Sequence, residues 1–392
     1  MPVCQDRPGS LSSVMTIYFV AGEVSADNHG AALMRCLREL DSELQFVGRG
    51  GPQMREVAGE QFKNWIADAA VLGLWEVLRK YGYFREQFHE TLREIRESKP
   101  DAVVLIDYPG FNLRLARTLR RQAPRQKIIY YISPQVWAWD RGRIKRMAHF
   151  IDLVLCIFPF EVDLYNQVGL RALFVGHPMI ERLQDRKIET QRDPNLIGLF
   201  PGSRSREVRK IVPIMLETAR ELRKHNRNLR FEVAAASKQL AREMKPAVDA
   251  LDQSQDGEAI QIKVDETAVI MQRAWAGIVA SGSATLEAAY FRLPFVLIYK
   301  VMWPTYLAAR LVVNVKYLGM PNLLADKEVV PEFIQYRAKP RAVVEAVQPL
   351  IENANARERM ISEFDSIIGR LGETGASERA ARAIIEEMGT AT

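Results

Sequence analysis

A chain of 392 residues is long enough for two or three domains at roughly 150 residues each, and with 48% apolar and 26% charged residues it is neither a polar disordered chain nor an apolar membrane bundle. The net charge of +6 suits an anionic partner, whether a phosphorylated ligand, an anionic membrane surface or a nucleic acid. Three cysteines, Cys4, Cys36 and Cys156, form no CxxC pair, which argues against a disulfide framework or a zinc site and fits a reducing compartment.

In chain order, residues 1–14 lack the apolar core of a secretory signal and read as a disordered extension. Apolar strands are expected at 16–22, 44–48, 102–107, 127–132, 152–158 and 172–176, with helical stretches between them. They are apolar throughout and do not alternate, as strands buried on both faces of a parallel sheet do. The first runs into "AGEVSADNHG", where Glu23 lies just past the strand end and Asp27 one helical turn later. Asp27 suits either a binding site or a helix N-cap. In "LIDYPGFN", Asp107 closes a strand and a Pro-Gly turn follows, a suitable place for a general base. Trp137 and Trp139 after the next strand fit a core or a sugar pocket, and His177 in "VGHPM" fits a cleft or an ordinary polar contact. The charged stretch Glu181 to Asn195 has no apolar periodicity and reads as a linker.

A second strand series is expected at 196–200, 230–236, 260–264, 277–281 and 294–299. "LFPGSRSREV" takes the first of these through Pro201 and Gly202 into a charged helix that Ser203 or Ser205 could cap. Helix N-termini attract anions, and Arg204 stands where a guanidinium could fork onto a phosphate. "SGSATLE" repeats the pattern with Ser281, Gly282, Ser283 and Thr285, and Glu287 sits where a carboxylate can meet ribose hydroxyls. Two phosphate-friendly turns and one acid in a single domain point to a nucleoside diphosphate.

Two features bear on lipid. Val71, Leu72, Leu74, Trp75, Val77 and Leu78 crowd together ahead of Arg79 and Lys80, as in an interfacial helix or a core helix. Between Phe111 and Phe150 stand ten Lys/Arg and one acid, Asp140, a basic face of the kind that favours anionic headgroups. No apolar run approaches the ~20 residues of a spanning helix. Other chemistries lack their residues. There is no G-x-x-x-x-G-K-[ST], no HExxH and no Asp-x-Asp, and "FVGRGGPQM" has Gln53 where a dinucleotide turn needs its third glycine. No metal and no cofactor is expected, so protein donors would stabilise a departing diphosphate.

Taken together, "AGEVSAD", "GRGGPQM", "LGLWEVL", "IDYPGFN", "YYISPQVWAW", "FPFE", "VGHP", "LFPGSRSREV", "SGSATLE" and "MPNLLA" resemble the lipid-A-disaccharide synthases from Met15 to Met388. The resemblance implies an α/β chain of two doubly wound Rossmann-like domains facing a cleft, the GT-B arrangement. It implies an inverting transfer from UDP-2,3-diacylglucosamine to the 6-hydroxyl of 2,3-diacylglucosamine 1-phosphate (lipid X), giving a β-1,6 disaccharide and UDP. It places the enzyme peripherally on the cytoplasmic face of a Gram-negative inner membrane, with no nucleic-acid partner and a homodimer left open. The expected organisation is an extension at 1–14, an acceptor domain with the membrane segment at 15–182, a UDP-sugar domain at 190–355, and helices at 356–392 packing back on the first domain. Asp107 is the expected base, with Glu23 the alternative. Gly202, Ser203, Arg204, Ser283, Thr285 and Glu287 would bind UDP, Asp27, His177 and Asn322 would line the cleft or acceptor site, and Val71, Leu72, Leu74, Trp75 and Leu78 would meet the membrane. Two positions depart from the family pattern: Ala26 stands where glycine is common, and Gly110 where some relatives carry a second acid. A UDP-N-acetylglucosamine epimerase on the same fold and a non-enzymatic peripheral membrane protein remain as rivals.

Overall fold

The computed structural model of the chain describes residues 14–66, 81–135, 141–252, 259–301 and 316–389. It divides into two units, residues 1–178 with 375–392, and residues 179–374. The expected membrane-contact residues Val71, Leu72, Leu74, Trp75 and Leu78, the pair Trp137 and Trp139, and nearly all of the N-terminal extension lie outside the described residues.

The first unit holds a parallel sheet of β1 (Thr16–Ala21), β2 (Gln45–Gly50), β3 (Lys63–Asn64), β4 (Ala102–Ile106), β5 (Lys127–Tyr131), β6 (Leu153–Cys156) and β7 (Ala172–Phe174), in the order β3-β2-β1-β4-β5-β6-β7. Every residue of β4 and β6 is buried, which accounts for the unbroken apolar runs. The order reverses between β1 and β4, whose final residues Ala21 and Ile106 are paired. In such sheets ligands bind in the crevice outside the carboxyl ends of the strands at this reversal.

The second unit repeats the arrangement with β8 (Asp193–Phe200), β9 (Arg230–Ala235), β10 (Gln261–Val264), β11 (Ala274–Ala280), β12 (Phe295–Tyr299) and β13 (Glu332–Ile334), in the order β10-β9-β8-β11-β12-β13. Its reversal lies between β8 and β11, where Phe200 pairs with Val279.

Two sequence expectations need correction. The supposed linker begins as helix Met179–Gln184, which buries Met179, Ile180 and Leu183, and ends inside β8. The C-terminal helices part company. Ala354–Arg370 stays with the second unit, where Phe364 stacks on Phe295 with ring centroids 5.6 Å apart. Only Ala376–Gly389 returns to the first unit, where Glu387 accepts from Lys127 at 2.8 Å and Arg171 at 2.5 Å. The edge strands β3 and β13, two and three residues long, had no sequence signal.

Candidate active site

Glu23 and Asp107 follow the two strands that flank the reversal in the first unit. Glu23 is exposed and stands at the N-terminus of helix Val24–Leu40, where its side chain makes no capping bond. Asp107 is half-buried. Burial first, and then the Glu23 charge, push its carboxyl up to about 6, against a weaker opposing hydrogen bond from the Tyr108 backbone. A carboxyl tuned towards neutrality at a strand end is suited to accept a proton from a sugar hydroxyl.

The backbone at this point is strained. Asp107 (φ 46°) and Tyr108 (φ 51°) both lie in the left-handed region, which costs a side-chain-bearing residue about 1–3 kcal/mol each. The Asp107 N–H still donates to Tyr131 O at 3.1 Å, so Asp107 forms the last rung of the β4–β5 ladder. Its carbonyl accepts from Asn112 Nδ2 at 2.8 Å and from the Tyr130 hydroxyl, and Asn112 Nδ2 also reaches Ile106 O at 3.2 Å. Gly22 is required beside this turn, since a Cβ there would lie 2.4 Å from Tyr108 Cδ1. Trp65 and Phe111 meet Tyr108 with centroids 6.2 and 6.1 Å away, so an aromatic wall stands beside the two acids. His177 is half-buried and packs against Phe158 with ring centroids 5.3 Å apart.

Asp27 departs from the site expectation. It is 2% exposed, and its carboxylate accepts from the N–H groups of Gly51 (2.8 Å), Gln53 (3.0 Å) and Met54 (3.0 Å). It therefore caps the helix Pro52–Ala58 from another element, a structural brace and not an acceptor ligand. Arg49 of "GRGG" is likewise structural. It is fully buried and pairs with Glu90 at 2.8 Å and Glu94 at 2.7 Å. Burial opposes the Glu94 charge, but hydrogen bonds from Arg49, Lys63 and Tyr18 prevail and hold its carboxyl at about 2.

In the second unit both anion-friendly turns leave the strands at the reversal. Gly202 (φ 93°) and Gly282 (φ 141°) take up backbone shapes that disfavour a side chain, and a Cβ on Gly202 would lie 3.6 Å from Ala280 Cβ, so the turns are neighbours. Arg204, not a serine, occupies the N-cap of helix Ser205–His225, and no side chain caps it. Ser205 donates to Glu243 at 2.6 Å, and Ser203 is exposed. The Arg204 side chain is 69% exposed and holds Glu207 at 3.3 Å, a weak surface pair that a phosphate can displace. Ser283 stands at the N-cap position of helix Ala284–Tyr290, makes no capping bond with its side chain and is exposed.

Thr285 does not face a ligand. It is fully buried and its hydroxyl donates to Gly282 O at 2.7 Å, bracing the turn. Glu287 is ion-paired with Arg182 at 2.8 Å, and Arg182 comes from the segment taken for linker. Asn322 is also internal. It is fully buried, accepts from Val329 N at 2.8 Å and Val330 N at 2.7 Å, and donates to Val330 O at 2.7 Å and Glu332 at 2.9 Å. It locks a loop and does not line a binding surface. Beyond the turns, a cavity of about 340 Å³ is lined by Lys210, Lys300, Val301, Gln335 and Tyr336, a cationic lining in keeping with an anionic ligand.

Residues missed by sequence reasoning are Tyr108, Asn112, Tyr130 and Arg182. The first two lie inside the quoted "IDYPGFN", but nothing in their spacing announces a left-handed turn. Among the described residues no group of His, Cys, Asp and Glu could hold a metal ion, and no helix is long and apolar enough to cross a membrane.

Solved structures share the fold across nearly the whole chain. UDP-GlcNAc 2-epimerase from Neisseria meningitidis, bound to UDP-GlcNAc, aligns with a TM-score of 0.58 at 13% identity, covering 95% of this chain and 99% of that one. MurG from Acinetobacter baumannii aligns with a TM-score of 0.56 at 13% identity, covering 95% and 99%. In sequence, lipid-A-disaccharide synthase of Geobacter sulfurreducens is 36% identical over 381 residues, 95% of this chain and 97% of its own. That of Acidobacterium capsulatum is 37% identical over 380 residues, 94% of each chain. The family model described as lipid-A-disaccharide synthetase matches residues 17–384. With the family model matched over residues 17–384 and relatives more than a third identical over 94–95% of the chain, this chain belongs to the lipid-A-disaccharide synthetase family.

Proposed function

We propose that the chain joins UDP-2,3-diacylglucosamine to lipid X with inversion, Asp107 serving as the base and the turns after β8 and β11 holding UDP. The observation that carries the roles is the placement of the residues. The two acids follow the reversal strands of the first unit, and the two uncapped, glycine-led turns follow those of the second. The acceptor 6-hydroxyl oxygen forms a bond to the anomeric carbon as the bond from that carbon to the diphosphate oxygen breaks. The hydroxyl proton passes to the Asp107 carboxylate, and the electron pair leaves with UDP. Charge growing on the diphosphate is met by Arg204 and by the N–H groups at the two helix starts. Glu287 accepts ribose hydroxyls once Arg182 yields. Glu23 raises the proton affinity of Asp107 and is the alternative base.

The two roles separate by mutation. Asp107→Ala lowers kcat by about 10²–10⁴-fold and leaves UDP affinity intact, whereas Arg204→Ala weakens UDP binding in calorimetry. Turnover near wild type in Asp107→Ala removes the base, and an unchanged UDP affinity in Arg204→Ala removes the anion site.

The membrane reading rests on sequence and charge. Val71, Leu72, Leu74, Trp75 and Leu78 make an apolar stretch in the sequence, and Arg117, Arg121, Arg125 and Lys145 are exposed on the first unit. Such a pairing suits the anionic cytoplasmic face of an inner membrane and lipid substrates held there. In a flotation assay Leu74→Asp with Trp75→Asp releases the enzyme from anionic vesicles; equal binding by the double variant refutes this contact.

A further inference from the structure

We propose that Asn112 is a positioning residue: with Tyr130 it clamps the Asp107 carbonyl, holds Asp107 and Tyr108 in the left-handed turn, and so fixes where the Asp107 carboxylate stands. The inference rests on the reading of Asp107 as the base.

The clamp is built from the interior. Asn112 and Tyr130 are both fully buried. One amide nitrogen of Asn112 spans two successive carbonyls, Ile106 at 3.2 Å and Asp107 at 2.8 Å, and the Tyr130 hydroxyl comes to the second from the neighbouring strand β5. Two consecutive left-handed residues do not hold themselves, since neither Asp107 nor Tyr108 is glycine. The Asn112 main-chain N–H also donates to Tyr108 O at 3.1 Å, so a single residue ties down both members of the strained pair. Asn112 Oδ1, by contrast, is buried with no hydrogen-bond partner among the described residues. An apolar side chain would fill the position without that orphaned oxygen, so the amide is explained by its donors.

The consequence reaches the carboxylate. The charged and titratable groups around Asp107 come from three elements: Glu23 after β1, Tyr108 in the turn itself and Tyr130 on β5. Holding the turn keeps Asp107 half-buried and near Glu23. Releasing it lets water reach the carboxyl and moves it away from the geometry that meets the acceptor hydroxyl.

The test uses the full-length enzyme with Asn112→Ala and, as a milder variant, Tyr130→Phe, which removes one hydroxyl and keeps the ring. We expect kcat to fall by up to about 10²-fold, with UDP affinity and KM for the donor within about twofold, and the acidic limb of the kcat/KM profile to move to lower pH. In an Asp107→Ala background, Asn112→Ala adds no further loss, because it acts through the missing carboxylate. Should Asp107→Ala itself turn over normally, the base assignment fails and this inference with it. If Asp107→Ala is inactive but Tyr130→Phe and Asn112→Ala keep wild-type kcat and an unmoved acidic limb, only the clamp is wrong. Equal fractional losses from Asn112→Ala with and without Asp107 also overturn it.

Discussion

At the scale of single residues, polar side chains at strand ends divided into two kinds that sequence spacing does not separate. Glu23, Arg204 and Ser283 reach solvent. Asp27, Thr285 and Asn322 turn inward and satisfy backbone groups. Both kinds stand at or near helix starts, where the first turn leaves unpaired amides that need an acceptor whether or not a ligand binds. What distinguishes them is the partner, and the partner lies far along the chain. Asp27 caps a helix that begins at Pro52, and Arg182 reaches Glu287 across 105 positions. The left-handed pair Asp107–Tyr108 was illegible for the same reason. The quoted motif shows a proline and a glycine, whereas the strain is carried one and two residues earlier and held by Tyr130 from another strand.

At the scale of elements, the sequence was most readable where burial is complete. The central strands are apolar on both faces and therefore stand out as runs, and their ends fell within a few residues of those observed. Short edge strands bury little and leave no run. The segment 318–332 shows what the polar braces do. Glu332 on β13 accepts from Leu318 N at 3.0 Å and Gly319 N at 2.8 Å, and Asn322 fastens the returning strand through Val329 and Val330. Removing the Asn322 side chain strips the buried Val330 N–H and the part-buried Val329 N–H of their acceptor. At about 1–3 kcal/mol for each unmet group, Asn322→Ala is expected to lower the unfolding free energy by about 2–4 kcal/mol. Urea titration of the two proteins measures it; a loss below about 0.5 kcal/mol contradicts the brace and reopens a ligand role for Asn322.

At the scale of the whole molecule, two units share one strand order over their first six strands, and the proposed reaction assigns a different task to each. Acids follow the reversal of one sheet and glycine-led turns follow the reversal of the other. The shared fold alone does not select a reaction, since epimerases and MurG align about equally well with this chain. The family match over residues 17–384 is what selects it. The return of Ala376–Gly389 to the first unit was expected from the family resemblance alone; the helix buries Ala380, Ala381 and Ile384, and Glu387 meets Lys127 and Arg171, partners that no local pattern reveals. The most direct measurement is of products: purified chain, UDP-2,3-diacylglucosamine and lipid X in anionic vesicles, with EDTA present. The account predicts one UDP released for each β-1,6 disaccharide formed, at a rate that added Mg²⁺ leaves unchanged. UDP without disaccharide, a sugar inverted at C2, or activity that returns only with Mg²⁺ would contradict it.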